Sequence, residues 1–239
     1  MRKIILSTIS IIILIFIGLM IYISTKGIKT DRFNNLINQR INKIDSRIRL
    51  NLNDVNFKLR TSDLKFEVKT LDPKIAINEK KIDLELIKFD LDIIDYLNKK
   101  IPVNRISIIS KENKINQLIN FLNEYEYNLP RDIILKQIKR GKVKILSDII
   151  LDEKNFNKFK YIINGYISDA EINLLDKFKI DKINFNFKIK ENIINLEQLK
   201  LSLDQKLITS EKLNIKKVKE IYEIDGNLKT TKSKINLYD

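Results

Sequence analysis

The chain has 239 residues, of which 44% are hydrophobic and 32% are charged, so it has enough apolar surface to build a folded domain. It contains no cysteine and no histidine, which excludes disulfides, thiolate or imidazole metal sites, and catalysis by a Cys nucleophile or a His base. The formal net charge is +14, and lysine occurs in every segment instead of in one basic block. We therefore expect a non-enzyme without a cofactor, whose charge lies on a solvated surface. The alternative is that this charge attracts the protein to anionic lipid headgroups. No nucleic-acid or small-molecule partner is expected.

The first predicted element is a transmembrane helix. No residue between Lys3 and Lys26 is charged, and as a helix the 22 residues from 4 to 25 would extend about 33 Å, enough to cross a hydrocarbon core of roughly 30 Å. Apolar side chains occur on every side of this helix, as a lipid-exposed helix requires. The residues predicted to lie in the membrane include Ile4, Ile11, Leu14, Phe16, Leu19 and Tyr22.

A cleaved signal peptide is the competing interpretation of this segment. Its apolar region is normally about 7–15 residues long and ends at a small-residue cleavage site, whereas no alanine occurs here before Ala76. A retained anchor is therefore the prediction. Basic residues at positions 2, 3, 26, 29 and 32 flank both ends, so the positive-inside rule is nearly balanced. Because a three-residue tail is the poorer candidate for translocation, we expect the N-terminus in the cytoplasm and the domain outside.

An amphipathic helix is predicted over residues 33–44, with Thr30 or Asp31 available as the N-cap. Its apolar positions have helical spacing: Phe33, Leu36, Ile37, Ile41 and Ile44. We interpret it as a helix that covers one end of a sheet. A helix lying on the membrane surface is the alternative.

From residue 48 the hydrophobic period changes to two, which predicts a series of half-buried strands. The apolar residues change between even and odd positions near 53–54 and again between Leu86 and Ile87. The second of these parity slips indicates a β-bulge or a strand bend. The residues of this half predicted to lie on the apolar face, as core or as the lining of a groove, are Val55, Phe57, Leu59, Leu64, Phe66 and Val68.

Two further helices interrupt the strands. Residues 112–125 carry an apolar stripe with Ser110 as a plausible cap, and Pro130 opens a short helical stretch that is predicted to stop at Gly141. Strands resume at Val143 and continue to the end of the chain. Their apolar faces include Ile183, Phe185, Phe187, Ile189, Leu199, Leu201 and Leu203.

No constellation of catalytic residues emerges from the pattern. The five glycines are too dispersed for a phosphate-binding loop, and acidic pairs such as Asp90 and Asp92 are expected by chance in a chain this rich in charge. Phe185 and Phe187 have the spacing of a base-stacking strand, but alternating aromatic residues are more often part of a core. We therefore predict no catalytic, cofactor-binding or metal-binding residues.

About ten strands with one apolar face each require something to cover that face. Two amphipathic helices are too few, so the sheet either folds on itself as a sandwich or barrel or holds a non-protein ligand in a curled groove. Pattern alone favours the sandwich or barrel.

The order of elements resembles the AsmA-like family of bacterial envelope proteins, of the TamB and YhdP type. The resemblance covers nearly the whole chain: a short basic start, the anchor, an amphipathic helix and then successive strands. Four short segments also look similar to the strands and turns of that family, namely 54–59 (DVNFKL), 71–75 (LDPKI), 165–167 (GYI) and 183–187 (INFNF).

The resemblance implies a mainly β fold: an anchor (1–25), an amphipathic helix (26–45) and a β-rich domain (46–239) with a long curved antiparallel sheet and two or three amphipathic helices. It implies a single-pass protein of the bacterial inner membrane, with its domain in the periplasm. Its partners would be membrane phospholipids, moved between the inner and outer membranes through an apolar groove, and other envelope proteins. The alternative is a structural or assembly protein that docks partner proteins.

Overall fold

The structure of the protein is a computed structural model, and it describes residues 2–31, 34–35, 38–39, 45–98, 103–126, 129–151, 159–174, 177–218 and 221–230. These residues form a mainly β fold with few helices, as predicted. The labelled helices are α1 (Arg2–Thr25), α2 (Ile93–Leu97), α3 (Ile115–Tyr125) and α4 (Leu129–Gln137).

The N-terminal helix is long and apolar enough to cross a membrane, because its segment Ser7–Thr25 has a mean hydropathy of 2.4. None of that segment is buried against the rest of the protein. Five side chains predicted to lie in the membrane are more than half exposed, and they are Ile11, Leu14, Phe16, Leu19 and Tyr22. A helix that exposes apolar side chains all round is suited to lipid rather than water.

The amphipathic helix predicted over residues 33–44 lies mostly outside the described residues. Its described positions Asn34, Asn35, Asn38 and Gln39 are helical. The amide of Asn34 donates a hydrogen bond to the Leu52 carbonyl at 3.1 Å, so this part of the segment lies beside the sheet. The predicted apolar positions Phe33, Leu36, Ile37, Ile41 and Ile44 are among the residues that the structure does not describe.

The described strands all belong to one long, open, antiparallel sheet. Its main path runs β1-β3-β4-β6-β7-β9-β10-β11-β12-β13-β14, and the short strands β2, β5, β8 and β15 pair beside it. The strands are β1 (Ile28–Thr30), β2 (Ile48–Asn51), β3 (Val55–Arg60), β4 (Lys65–Leu71), β5 (Lys74–Ile77), β6 (Lys80–Asp92), β7 (Val103–Ser110), β8 (Asn113–Lys114), β9 (Ile138–Leu151), β10 (Phe159–Leu174), β11 (Phe178–Lys190), β12 (Ile193–Leu203), β13 (Lys206–Val218), β14 (Ile221–Gly226) and β15 (Lys229–Thr230).

A line of β-bulges crosses the long strands. Register shifts occur where β10, β11 and β12 each carry one extra residue. Close to each shift is a residue with positive φ: Asp169 (49°), Lys182 (51°) and Gln198 (56°). A bulge bends its strand and increases the local twist, so bulges on successive strands bend the sheet along one line. A slip is predicted between Leu86 and Ile87, and the structure has a register shift between β6 and β7 next to that position, between Leu84 and Leu86.

Two local predictions are wrong, at Gly141 and at Ser110, and tertiary pairing explains both. The helix predicted to stop at Gly141 ends at Gln137, because residues from Ile138 onward pair with β10. The parity slip at 53–54 is the connection between β2 and β3, which pair with different strands. Ser110 does not cap α3; it is buried in β7, where its hydroxyl accepts a hydrogen bond from the Ile145 amide at 2.8 Å.

Candidate functional site

Strand register places apolar residues from every strand of the main path on one face of the sheet, which we call the apolar face. Residues directly opposite one another on antiparallel strands point to the same side. One row of such pairs runs across β1 to β10 through Ile28, Phe57, Val68, Phe89, Ile106, Ile149 and Tyr161. A second row begins on β10 at Ile163, two residues after Tyr161 on the same face. It continues to β14 through Ile189, Ile194, Ile215 and Ile224.

The opposite face of the sheet is mainly polar. Moving one residue along each strand gives a parallel row, which crosses the sheet through Lys29, Asn56, Lys69, Lys88, Ser107, Asp148, Ile162, Lys190, Ile193, Lys216 and Glu223. The sheet therefore has one apolar side along its whole length, as the alternation in the sequence requires.

Ion pairs stabilise the charges of the polar face. The guanidinium of Arg105 contacts the carboxylate of Asp148 at 2.6 Å, and the Ser107 hydroxyl donates a hydrogen bond to the same carboxylate at 2.6 Å. The hydrogen bond from Arg105 lowers the pKa of Asp148, and the hydrogen bond from Ser107 lowers it further. The ammonium of Lys88, 2.7 Å from Glu67, likewise lowers the pKa of Glu67. Both carboxylates are therefore held in the charged form.

Helix α3 covers one part of the apolar face. Its residue Ile115 packs in a cluster with Val143, Ala170 and Ile183. A Cβ at Gly141 would lie 2.6 Å from Ile115 Cδ1 and 2.8 Å from the Ala170 Cβ, so the small residues beneath the helix permit this close approach. Partly buried side chains of the same cluster include Phe185, Phe187 and Leu201.

The strands β2 and β5 cover the part of the apolar face nearest the N-terminus. Phe121 of α3 packs with Ile77 of β5 and Leu84 of β6 in a second cluster. Leu52, just after β2, packs with Val55 and Val68 in a third. These contacts make an ordinary protein core, in which Val55 and Val68 are only 1% and 2% exposed.

The remaining part of the apolar face, which we call the open lane, lies on β9 to β13. Its side chains are half-buried, and they are Ile149, Tyr161, Ile163, Ile189, Ile194, Leu196, Leu213 and Ile215. None of them belongs to the three packed clusters found in the described part of the chain. The open lane is thus a continuous apolar surface on a bent sheet, which suits it to contact an apolar ligand.

The structure places twelve of the thirteen predicted face residues on the apolar side. Val55, Leu59, Val68, Ile183 and Leu199 are buried there. Half-buried positions are occupied by Phe57, Phe66, Phe185, Phe187, Ile189, Leu201 and Leu203. The exception is Leu64, which lies in the turn at 61–64 with φ +49° and is 44% exposed. The prediction that Leu64 lies on the apolar face is wrong. The alternation of apolar residues in β4 continues by coincidence to Leu64, which belongs to the turn before that strand.

Most residues of the open lane were absent from the predicted set, although they share its alternation. Of the eight, only Ile189 was singled out, and residues such as Ile163 and Ile194 have the same pattern in the sequence. The signal was therefore present, but alternation marks both covered and uncovered strands.

An open cavity of about 810 Å³ lies along β10 to β13, and its walls include both apolar side chains, such as Phe185 and Leu199, and charged ones, such as Glu197, Lys200 and Lys212. Among the described residues, no group of three or more acidic side chains is placed to hold a metal ion. No protein-family model, curated protein or solved structure matches the chain, so the geometry of the apolar face alone defines its candidate site.

Proposed function

We propose that the protein is a membrane-anchored, phospholipid-binding protein of the bacterial envelope, which carries lipid between the inner and outer membranes along its apolar face. The open lane is the observation on which this rests, because it presents eight half-buried apolar side chains across five neighbouring strands. Acyl chains would lie against these side chains, and headgroups would stay in water. Such binding needs neither a nucleophile nor a cofactor.

The free energy of acyl-chain burial determines how much of a bound acyl chain the protein must cover. Each buried methylene contributes about 0.8 kcal/mol, so a chain of about fourteen methylenes contributes about 11 kcal/mol when it is fully covered. The same amount is lost when the chain leaves the bilayer, so transfer is nearly balanced only if the lane and the neighbouring chains cover most of the lipid. A continuous lane supports such coverage better than isolated apolar patches do.

The arrangement of the chain supports a path that leads away from the membrane. Strand β1 begins three residues after α1 ends, and β14 lies ten strand-to-strand steps farther along the sheet. At about 4.8 Å per step, the sheet advances about 48 Å, and the open lane from β9 to β13 covers about 19 Å of it. We propose that α1 spans the inner membrane, with the N-terminus in the cytoplasm and the sheet in the periplasm, and that the chain is an AsmA-like protein. The order of anchor and successive antiparallel strands supports that assignment.

Photocrosslinking from adjacent residues of one strand tests the proposal. Ile194 lies in the open lane, and Asn195, the next residue of β12, lies on the opposite face. With benzoylphenylalanine at position 194 of the full chain in bacterial membranes, we expect phospholipid adducts detectable by mass spectrometry. The same probe at position 195 should give none, because that side chain lies on the face opposite the lane.

The same experiment separates lipid binding from the alternative of an assembly protein. If position 194 gives protein adducts and no lipid adducts, the lane docks a protein partner, and the lipid proposal is wrong. Equal lipid labelling from positions 194 and 195 would also contradict it, because random contact with the bilayer does not distinguish the two faces.

A further inference from the structure

The hairpin that joins β3 to β4 extends past β1 toward the N-terminal helix. Strand β1 follows α1 after Lys26 and Gly27, and β3 runs antiparallel to it with Ile28 opposite Phe57. The chain from Phe57 to Thr61 therefore continues beyond the start of β1. Four residues of extended chain cover about 14 Å.

The turn at 61–64 lies alongside α1 and not beyond its end. Thr61 lines a cavity of about 330 Å³ together with Phe16, Met20 and Thr25 of the helix. The cavity-lining residues of the helix belong to its last three turns, so the turn lies beside the C-terminal part of α1. Because these helix residues belong to the apolar segment Ser7–Thr25, the turn lies at the depth of that segment.

The turn and the short helix α2 form one unit, which we call the tip. The amide of Ile93 donates a hydrogen bond to the Leu64 carbonyl at 3.3 Å, and the Asp92 carboxylate accepts a hydrogen bond from the Ile94 amide at 3.0 Å at the start of α2. Three large apolar side chains of the tip are exposed: Leu64 (44%), Ile94 (51%) and Leu97 (73%). An aqueous surface gives no reason for this grouping, whereas a lipid surface does.

Ion pairs reduce the cost of bringing the charges near the tip close to lipid. Arg60 donates two hydrogen bonds of 2.7 Å to the carboxylate of Asp63. The ammonium of Lys65 lies 3.6 Å from Asp92. A paired charge at the membrane interface is less costly than an isolated one, so shallow entry is compatible with these residues.

We infer that the tip enters the same leaflet as the C-terminal end of α1, with Leu64, Ile94 and Leu97 at the boundary of the acyl chains. The inference rests on the membrane anchor in the proposed function. It also deepens that function, because Leu59, Phe66 and Leu91 form the row of the apolar face next to the tip. The covered end of the apolar face then lies at the leaflet, and the sheet extends from there toward the open lane.

Tryptophan fluorescence tests the inference without background, because the chain contains no tryptophan. Four single variants of the full chain are reconstituted in vesicles of phosphatidylethanolamine and phosphatidylglycerol, with and without brominated acyl chains. Leu64→Trp and Ile94→Trp report on the tip, and Phe16→Trp reports on the helix. Leu71→Trp is the matched control, because Leu71 is 56% exposed at the other end of β4.

We expect a blue-shifted emission and quenching by bromine at positions 64 and 94, approaching the quenching at position 16. Position 71 should emit as a solvated tryptophan and lose less than about a tenth of its intensity. Quenching at 16 without quenching at 64 and 94 overturns the inference and leaves the anchor intact. Absence of quenching at position 16 overturns both the inference and the membrane anchor. Equal quenching at positions 64 and 71 overturns the inference, because the whole domain and not only the tip then contacts lipid.

Discussion

The covered and the open parts of the apolar face have the same kinds of side chain and differ in what lies over them. Val55 and Val68 are 1% and 2% exposed beneath Leu52, whereas Ile194 and Leu196 on β12 are half-buried and belong to no packed cluster of the described residues. Composition therefore does not separate protein core from candidate binding surface in this sheet. What separates them is whether α3, β2 or β5 lies over the side chains. Mutations in the covered and open parts should therefore have different consequences.

The largest effect is expected in the covered part, at Phe121. This side chain is 8% exposed and packs with Ile77, Ile82 and Leu84. Phe121→Ala should lower the free energy of unfolding by about 3–5 kcal/mol, because it removes buried apolar contacts and leaves a cavity. Urea unfolding of the detergent-solubilised chain, followed by circular dichroism, measures the change.

The neighbouring residue Leu122 provides the control. It is 36% exposed, so Leu122→Ala should cost less than about 1 kcal/mol. Similar losses at positions 121 and 122 would show that α3 does not bury Phe121 against the apolar face.

A second effect is expected at Gly165, between the covered and open parts. A Cβ at this position would lie 2.6 Å from Cζ of Phe187 and would also clash with the backbone oxygen of Lys144. Gly165→Ala should therefore lower the unfolding free energy by about 1–3 kcal/mol through overpacking. Thermal unfolding measures this loss, with Gly18→Ala as the control, because a Cβ at Gly18 meets nothing within 4 Å. An unchanged midpoint for Gly165→Ala would contradict the register of β9 and β10, in which Gly165 lies opposite Ile145.

A charge in the open lane should affect lipid more than stability. Ile189 lies in the lane, and Lys188 precedes it on the polar face, opposite Asn195. Ile189→Glu should reduce the phospholipid that copurifies with the chain about tenfold, which corresponds to about 1.4 kcal/mol. Quantitative mass spectrometry of extracted lipid measures it, and Lys188→Glu should leave the amount unchanged. If both variants retain lipid equally, the lane is not the binding surface.

The smallest effect is expected on the polar face, at Asp148. Its pair with Arg105 lowers the pKa of the carboxyl below its ordinary value of 3.8. A carboxyl whose pKa is lower in the folded state stabilises the fold above its unfolded pKa, and that contribution is lost as the pH falls through the folded pKa. Because Arg105 is 61% exposed, Asp148→Asn should cost only about 0.5–1 kcal/mol at pH 7.

The pH dependence distinguishes this ion pair from a merely structural role of Asp148. The difference in stability between the wild type and Asp148→Asn should shrink below about pH 4 and vanish once the carboxyl is protonated. Urea unfolding at pH 7, 5 and 3 measures it. The pair of Lys229 with Glu211 is the control, because both side chains are largely exposed and Glu211→Gln should change nothing measurable. A difference that persists undiminished at pH 3 would contradict the assignment.

Local patterns predicted several features of this protein correctly. The uncharged run before Lys26 predicted an apolar helix, and the alternation around Phe57 and Phe187 predicted strands with one apolar side. The irregularity of β6 was predicted to within two residues, because a change in which side of the strand is apolar is a local event; the register shift lies between Leu84 and Leu86. Basic residues followed by Gly141 led to the prediction of a helix end there. That prediction was wrong because this segment pairs with β10 and forms a strand.

The sequence by itself determined which residues of each strand are apolar, because that alternation is a property of one strand and its neighbours in the chain. Only the tertiary structure decided which part of the apolar face is core and which is open. Phe121 covers Ile77 and Leu84, residues far from it in the chain, and Leu52 covers Val68. Contacts of this kind depend on how distant segments meet, and a strand's own alternation is the same whether or not another element lies over it.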